Sequence, residues 1–320
     1  MKRVPATRIQ IWFFLLLMVL GAAAQSVGTT AFEFLRQEYS ARSEAIGGNL
    51  ISFSGDANGM FVNPAGLASL ANPQWGVNYV DHLLDLQGGQ LVYARPATRF
   101  GTLGLGLLYL NYGDFQETDA FGQETGRSFS ASEFALAASL SNVLGPDFDY
   151  GVNLKLIYSS LDNVNAVAVA LDGGLQYHAP FSNQLTFAVV VSNVGLVLDD
   201  YTGTDEDLPI VVRVGFSKRL EHLPLVISGA LNDLTLETGD FWDRAKRFSV
   251  GGEFDISEQV KFRLGYNNEV NDNVRPLGRR GFGGMTAGLG IAWKSFRFDY
   301  AYSAYGELGS QNRLAISGGF

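Results

Sequence analysis

The sequence predicts an all-β fold, a transmembrane antiparallel β-barrel of about fourteen strands with an N-terminal hatch segment. The first observation is the end of the chain, where Leu314, Ile316 and Phe320 alternate with polar or small residues. The second is that this alternation, which has the period of a β-strand, recurs from about residue 74 onward. The third is an amino terminus with the pattern of an export signal.

The amino terminus has the three regions of a secretory signal peptide. Basic residues precede an apolar stretch over 11–20, and small residues at 22–24 provide a cleavage site. We therefore predict a signal peptide over residues 1–24 and a mature chain that begins at Gln25. An uncleaved membrane anchor is the alternative, but the apolar stretch is too short to cross a bilayer comfortably.

The composition excludes several classes of protein. The chain has 320 residues and no cysteine, so disulfide frameworks and thiolate metal sites are excluded. Its net charge of -9 argues against nucleic acid as a partner. It has 38 glycines and 23 phenylalanines but only 17% charged residues, which favours a lipid-facing β-structure over a cytosolic enzyme. We predict no enzymatic activity and no cofactor.

Strand after strand shows the two-residue period. In residues 150–159 the even positions are apolar or aromatic and the odd positions are mostly small or polar, and residues 260–267 and 296–303 repeat the pattern. A soluble β-sandwich would also alternate, but strands of about 10 residues and the export signal favour a membrane barrel. We place the strands at 74–82, 85–95, 101–112, 131–143, 149–160, 166–178, 185–197, 209–219, 224–234, 247–256, 260–268, 285–293, 296–305 and 312–320.

The connections between these strands separate by length. If the last strand ends in the periplasm, every periplasmic connection is short, whereas the external ones include 113–130, 235–246 and 269–284. Short periplasmic turns and long outer loops are typical of bacterial outer-membrane barrels. We therefore predict an integral outer-membrane protein in contact with lipopolysaccharide. We also predict that the barrel-assembly machinery recognises the last strand through Leu314, Ile316 and Phe320.

Residues 25–73 lack strand character and contain the sharpest local motif. Because the barrel of residues 74–320 leaves a lumen to fill, we predict that residues 25–73 form a hatch. The motif Asn63, Pro64, Ala65, Gly66 and Leu67 starts a short helix, since Asn63 is a good N-cap and Pro64 suits the first helical position.

Several stretches together resemble a known family. They are Phe34-Leu35, Ser40-Ala41-Arg42, Ala45, Gly47-Gly48, Asp56, Asn63-Pro64-Ala65-Gly66-Leu67, 110–115, 153–160 and 217–220. In these stretches the chain resembles the PorV/PorQ family, which is similar to the FadL fatty-acid channels, and residues 41–52 look most like PorQ. Asp56 is a departure, since relatives often carry a pair of acids there.

The resemblance implies a non-enzymatic role in the type IX secretion system. A PorQ-like barrel would anchor a cell-surface attachment complex by holding a PorZ-like protein on the long outer loops. The alternative is FadL-like transport of hydrophobic small molecules, which requires an apolar pocket in the lumen and a lateral opening where a strand is kinked. Most inward positions are small or polar, but Leu108, Leu110, Ile157 and Val190 also face inward on this register.

No catalytic or metal-binding pattern stands out. His82, His178 and His222 are too scattered for a metal site. Gly101, Gly104 and Gly106 have the spacing of a phosphate loop but lie in a strand, where glycine more readily permits close approach of the hatch. We interpret the acidic stretch 199–207 as a solvated loop, with binding of calcium or lipopolysaccharide as the alternative. The same interpretation applies to Arg275, Arg279 and Arg280, with lipid phosphate as the alternative ligand.

Overall fold

The structure is a computed structural model that describes residues 30–83, 86–97, 99–182, 184–201, 206–235, 241–275 and 282–319. The predicted signal peptide, residues 1–24, and the predicted mature terminus at Gln25 lie outside the described residues. The strands are β1 (Gln74–Asp81), β2 (Gln87–Ala97), β3 (Gly101–Thr118), β4 (Glu124–Leu144), β5 (Phe148–Leu161), β6 (Val164–His178), β7 (Leu185–Asp199), β8 (Val211–Arg219), β9 (Leu225–Leu231), β10 (Phe248–Asp255), β11 (Val260–Asn267), β12 (Met285–Trp293), β13 (Phe296–Ala304) and β14 (Ser310–Gly319).

These fourteen strands form one closed antiparallel barrel, as the alternation predicts. Each strand pairs with its neighbours in sequence, and β1 closes the barrel by pairing with β14 from Gln74↔Gly319 to Asp81↔Asn312. The short turns lie at the end of the barrel that also holds Gln74 and Gly319, which we therefore call the periplasmic end.

The largest difference from the predicted strands is at β3 and β4. The predicted loop 113–130 is mostly strand, because β3 continues to Thr118 and β4 begins at Glu124. The two strands remain paired through this extension, and the stacked rings of Phe115 and Phe129, 5.4 Å apart, lie across it. Such cross-strand aromatic pairs stabilise a hairpin that projects beyond the barrel.

The two faces of the wall have opposite character. Outward side chains are large and apolar, and Leu105 and Leu154 are 60% and 54% exposed. The inward face carries the charges that alternate with them, and Lys155 is only 2% exposed. An apolar outer belt around a polar interior is the surface that a bilayer requires of a barrel. The protein is thus an integral outer-membrane barrel.

Short helices lie inside the barrel and at its extracellular end. Helix α1 (Ala41–Ala45) precedes 3₁₀ turns at Leu50–Ser52, Ala57–Gly59 and Pro64–Leu67, and another turn covers Glu33–Arg36. At the extracellular end, α2 (Phe241–Ala245), α3 (Asn268–Val274) and a turn at Gly306–Leu308 lie between strands. None of the helices in the described ranges is long and apolar enough to cross a membrane.

Residues 30–73, which we call the inner segment, contact the wall all around the lumen. Helix α1 contacts β11–β14, the turn Leu50–Ser52 contacts β7 and β8, the turn Ala57–Gly59 contacts β1 and β2, and the turn Pro64–Leu67 contacts β4–β6. Because these contacts reach opposite walls, the inner segment lies across the lumen. The wall around it is uneven, since β3–β6 have 14 to 21 residues and β8–β11 only 7 to 9.

Candidate functional site: the lumen and a break in the wall

The Asn63–Leu67 motif forms a capped 3₁₀ turn against β4–β6. The Asn63 side chain accepts a hydrogen bond from the Ala65 amide (3.0 Å) and donates to the Ile51 carbonyl (2.7 Å). Ser141 on β4 donates to the Pro64 carbonyl (2.6 Å). On β5, a Cβ at Gly151 would lie 2.4 Å from the Pro64 carbonyl carbon, so glycine is required for this contact.

Strand β3 contains the glycines Gly101, Gly104 and Gly106, and two of them also permit close approach of the inner segment to the wall. A Cβ at Gly104 would lie 3.2 Å from Met60 Sδ, and one at Gly106 would lie 2.7 Å from the Phe61 ring. Gly101 differs, because it has a φ of +95° and abuts Ser141 on the neighbouring strand. The close approach of the inner segment therefore explains Gly104 and Gly106 but not Gly101.

On the opposite wall, buried ion pairs fix the inner segment to β10 and β13, and Arg263 of β11 joins those two strands. Arg42 of α1 contacts Glu253 (2.9 Å) and Asp56 (2.8 Å). Fully buried Arg263 contacts the same Glu253 (2.7 Å) and Asp299 (2.6 Å). Arg297 completes the network by contacting Asp56 (2.8 Å) and Asp299 (2.6 Å). The lone acid Asp56 thus has two arginine partners, and it also caps the turn by accepting from the Asn58 amide (3.0 Å).

A second buried network lies at a kink in β7. The Lys155 ammonium contacts Asp172 (2.8 Å) and donates to the Asn193 side-chain carbonyl oxygen (2.8 Å). Asn193 has a left-handed backbone, with φ of 63°, and its amide donates to Asp172 (2.9 Å). The β6–β7 pairing shifts register at this point. These polar contacts hold β7 in a bulge that redirects its extracellular half.

The wall has a break above this kink, where β7 and β8 separate. Their pairing ends at Ser192↔Val211, and the rest of β7 pairs with β6. The gap is covered by the segment that precedes β8, since Asn193 donates to the Pro209 carbonyl (3.0 Å). It is also covered by the start of the inner segment, because Thr30 and Asp207 form an isolated parallel bridge.

An apolar chamber lies inside the wall next to this break. Its inward side chains come from β1, β3–β6 and the segment before β8, and are Val80, Leu108, Leu110, Ala135, Ile157, Ala166, Ala168, Ala170 and Leu208. The chain's own Phe32, Phe34 and Tyr39 occupy it. Leu208 lines the chamber and belongs to the segment that covers the break. The chamber therefore lies directly beside the break between β7 and β8.

Sequence reasoning identified part of this chamber. Leu108, Leu110 and Ile157 face it as the register predicts, whereas Val190 packs with Ile46, Leu50 and Ile51 in a separate cluster. The occupancy by Phe32 and Phe34 was missed. The spacing of Phe32 and Phe34, two residues apart in a mostly polar stretch, was the sequence signal that could have indicated burial of both rings.

The extracellular side of the inner segment is polar. A cavity of about 350 Å³ there is lined by charged groups that include Arg36, Glu38 and Arg313. Above it, Arg36 contacts Asp233 (3.2 Å) and Arg247 contacts Glu269 (2.9 Å). Burial, assisted by the nearby Asp233 carboxylate, raises the pKa of Glu269 to about 7. The lumen therefore contains an apolar chamber and a distinct polar cavity.

The structure describes only part of the remaining predicted residues. Leu314 and Ile316 face outward from β14, while Phe320 lies outside the described residues. Within the described ranges, no group of three His, Asp or Glu side chains is arranged to hold a metal ion. Much of the acidic stretch, residues 202–205, is outside those ranges, as are Arg279 and Arg280.

Comparison with known proteins identifies the architecture. No family model matches the sequence, and no curated protein does. Among solved structures, the toluene transporter TodX of Pseudomonas putida aligns with a TM-score of 0.58 at 15% identity, over 88% of this chain and 98% of TodX. The fold is the FadL-type barrel. The monoaromatic hydrocarbon channel CymD aligns with a TM-score of 0.59 at 12% identity, over 87% of this chain and 96% of CymD.

A FadL homologue of Pseudomonas aeruginosa shares the fold as well. It aligns with a TM-score of 0.52 at 13% identity, over 92% of this chain and 99% of the homologue. These three neighbours are thus a toluene transporter, a monoaromatic hydrocarbon channel and a FadL homologue. At these identities, the likeness establishes the FadL-type fold of this chain and not its cargo.

Proposed function

We propose that this protein carries small hydrophobic molecules across the outer membrane. The observation that carries the proposal is the apolar chamber beside the break between β7 and β8. The side chain of Phe34 is a benzyl group, which has the size and chemistry of toluene, and it is fully buried in the chamber. A chamber that accommodates this ring and that of Phe32 has the shape and polarity for a monoaromatic molecule.

The named functions of the structural neighbours support this proposal over the surface-anchor role that the PorV/PorQ resemblance implies. TodX is a toluene transporter and CymD is a monoaromatic hydrocarbon channel. In our proposal, cargo enters the chamber when the Phe32–Phe34 stretch moves out. It passes the wall where β7 and β8 are unpaired, since the ion pairs of Arg42 with Glu253 and of Asp56 with Arg297 keep the rest of the inner segment in place.

A disulfide across the cover of the break tests the route. The partners Thr30 and Asp207 form a strand bridge, so their Cα atoms lie about 5 Å apart, within disulfide range. The chain has no cysteine, so the two cysteines of a Thr30→Cys/Asp207→Cys variant can form an intramolecular disulfide only with each other. We expect oxidation to reduce the uptake of radiolabelled toluene by cells at least about tenfold, and a reductant to restore it.

The matched control places the crosslink elsewhere. Phe115 and Phe129 are paired in the β3–β4 extension, away from the break, and Phe115→Cys/Phe129→Cys should transport equally in both redox states. Unchanged uptake through the oxidised Thr30–Asp207 crosslink would rule out the proposed route. If no form of the protein takes up toluene, the hydrocarbon-transport proposal itself fails.

A second candidate is the type IX secretion role, in which the barrel anchors a PorZ-like surface protein. The observation in its favour is the extracellular surface, where Phe121, Trp242 and Phe282 are 89%, 74% and 79% exposed. Large apolar side chains on projecting elements are typical of protein-binding surfaces. The PorQ-like stretch 41–52 lies in the inner segment and does not itself reach this surface.

Replacing residues 113–130 and 269–284 with short turns separates the two candidates. The anchor hypothesis predicts that the shortened barrel loses its surface partner in co-purification from native outer membrane, while its heat-modifiable gel mobility remains that of a folded barrel. Transport predicts that toluene uptake persists, since these loops do not line the chamber. Retention of the same surface partner by the shortened barrel would contradict anchoring through these loops.

A further inference from the structure

The lipid-facing side of the wall has a groove over β6–β10. Its volume is about 570 Å³. Its floor includes Gly229, which lies between Phe216 and Val250 in the sheet register and contributes no side chain. It is lined by Leu175, Tyr177, Phe187, Ala188, Val189, Val214, Gly215, Phe216, Gly229, Ala230, Leu231, Phe248, Ser249 and Val250.

The surroundings of the groove restrict its occupant. It opens on the outer belt of the barrel, where the solvent is hydrocarbon, and its lining is almost entirely apolar. The ring of Phe216 lies over its floor, 3.0 Å from where a Cβ of Gly229 would be. An acyl chain is flexible enough to fill such an irregular apolar groove, and chains of this kind surround the belt.

A cation lies at the periplasmic end of the groove. Lys218 faces outward, two residues beyond Phe216 on β8, and its register neighbours Leu185 and Ile227 are apolar. Within the described part of the chain, the side chain of Lys218 has no ion-pair or hydrogen-bond partner. A lysine at this level extends its ammonium to the headgroup region while its methylene stem stays in hydrocarbon.

The distance from this cation to the far end of the groove fits within one lipid leaflet. Lys218 and Val214 are four residues apart on β8, which is about 13 Å of strand and, at the tilt of barrel strands, about 10 Å along the bilayer normal. Half of a typical hydrocarbon core is about 15 Å. A lipid with its phosphate at Lys218 would therefore extend one acyl chain along the groove toward the bilayer centre.

We propose that the β6–β10 groove and Lys218 form a binding site for one anionic phospholipid of the periplasmic leaflet. The acyl chain lies over Gly229 between Phe216 and Val250, and the phosphate contacts the Lys218 ammonium. This site is on the outside of the barrel and is independent of the lumen and of any cargo that passes through it.

Lipid retention measures the proposed site directly. The protein is placed in nanodiscs of equal parts phosphatidylglycerol and phosphatidylethanolamine, and the lipid that remains bound after transfer to detergent is identified by native mass spectrometry. We expect one phosphatidylglycerol per barrel. Gly229→Leu, which fills the groove, and Lys218→Gln, which removes the charge, should each reduce its retention about tenfold.

Two matched controls come from elsewhere on the same lipid-facing surface. Gly173 faces outward into open space, so Gly173→Leu adds the same side chain outside the groove. Arg95 is an exposed cation at the periplasmic end of β2, so Arg95→Gln removes a comparable charge. Both variants should retain phosphatidylglycerol as the natural sequence does.

Other outcomes would overturn the proposal. Equal retention of phosphatidylethanolamine and phosphatidylglycerol would show that the site does not select an anionic headgroup. Unchanged phosphatidylglycerol retention in Gly229→Leu would show that the lipid does not bind in the groove. A dimer that Gly229→Leu dissociates would show that a second copy of the chain, rather than a lipid, covers this face. Heat-modifiable gel mobility identifies any variant that fails to fold, and Lys218→Gln then provides the independent test.

Discussion

An Arg263→Met barrel is expected to lose about 3–5 kcal/mol of its free energy of unfolding, the typical cost of removing one partner from a buried ion pair. Arg263 is fully buried between Glu253 and Asp299, with contacts of 2.7 and 2.6 Å. Methionine fills a similar volume but leaves both carboxylates with less compensating charge in a site closed to water. Urea unfolding in detergent micelles, followed by gel mobility without boiling, measures the loss.

Arg127 provides the control for this prediction. It also contacts two acids, Glu117 (3.1 Å) and Asp162 (2.6 Å), but on the exposed β3–β4 extension. Solvent screens such pairs, so Arg127→Met should leave the unfolding midpoint nearly unchanged. Equal midpoint shifts in the two variants would show that the Arg263 network does not stabilise the barrel.

Gly151→Val is expected to displace the inner segment while the barrel remains closed. The valine Cβ would lie 2.4 Å from the Pro64 carbonyl carbon and 2.6 Å from the Ala65 amide nitrogen, and backbone atoms cannot yield as a flexible side chain can. Over-packing of this kind costs about 1–3 kcal/mol, which corresponds to an increase of about fivefold to a hundredfold in the displaced population.

Limited trypsin digestion measures this displacement. Cleavage after Arg42, which is buried against β10 in the structure, should accelerate about tenfold in Gly151→Val. Gly173→Val is the control, because Gly173 faces outward with no atom within 4 Å of its Cβ position. Equal cleavage of the two variants, with the barrel folded in both, would show that Gly151 does not seat the Asn63–Leu67 turn.

The strands were predictable because their signal is local. The exception is the predicted loop 113–130, most of which is strand, since polar residues in an extended hairpin outside the membrane resemble a loop. The sequence left two functional interpretations open. The resemblance to the PorV/PorQ family implied a surface anchor, with FadL-like transport as the alternative, and the named functions of TodX and CymD fit the alternative better.

The sequence by itself determined the barrel, its strand number and the face of each side chain, because the two-residue period requires only neighbouring residues. The tertiary structure decided which groups meet across the lumen. Arg42 reaches Glu253 across 211 positions, and Phe34 enters a chamber built from strands that begin far beyond it. The break at Ser192↔Val211 likewise depends on where two strands stop pairing. Such contacts depend on closure of the barrel and on the path of the inner segment through the lumen. A local sequence pattern encodes neither the closure nor the path.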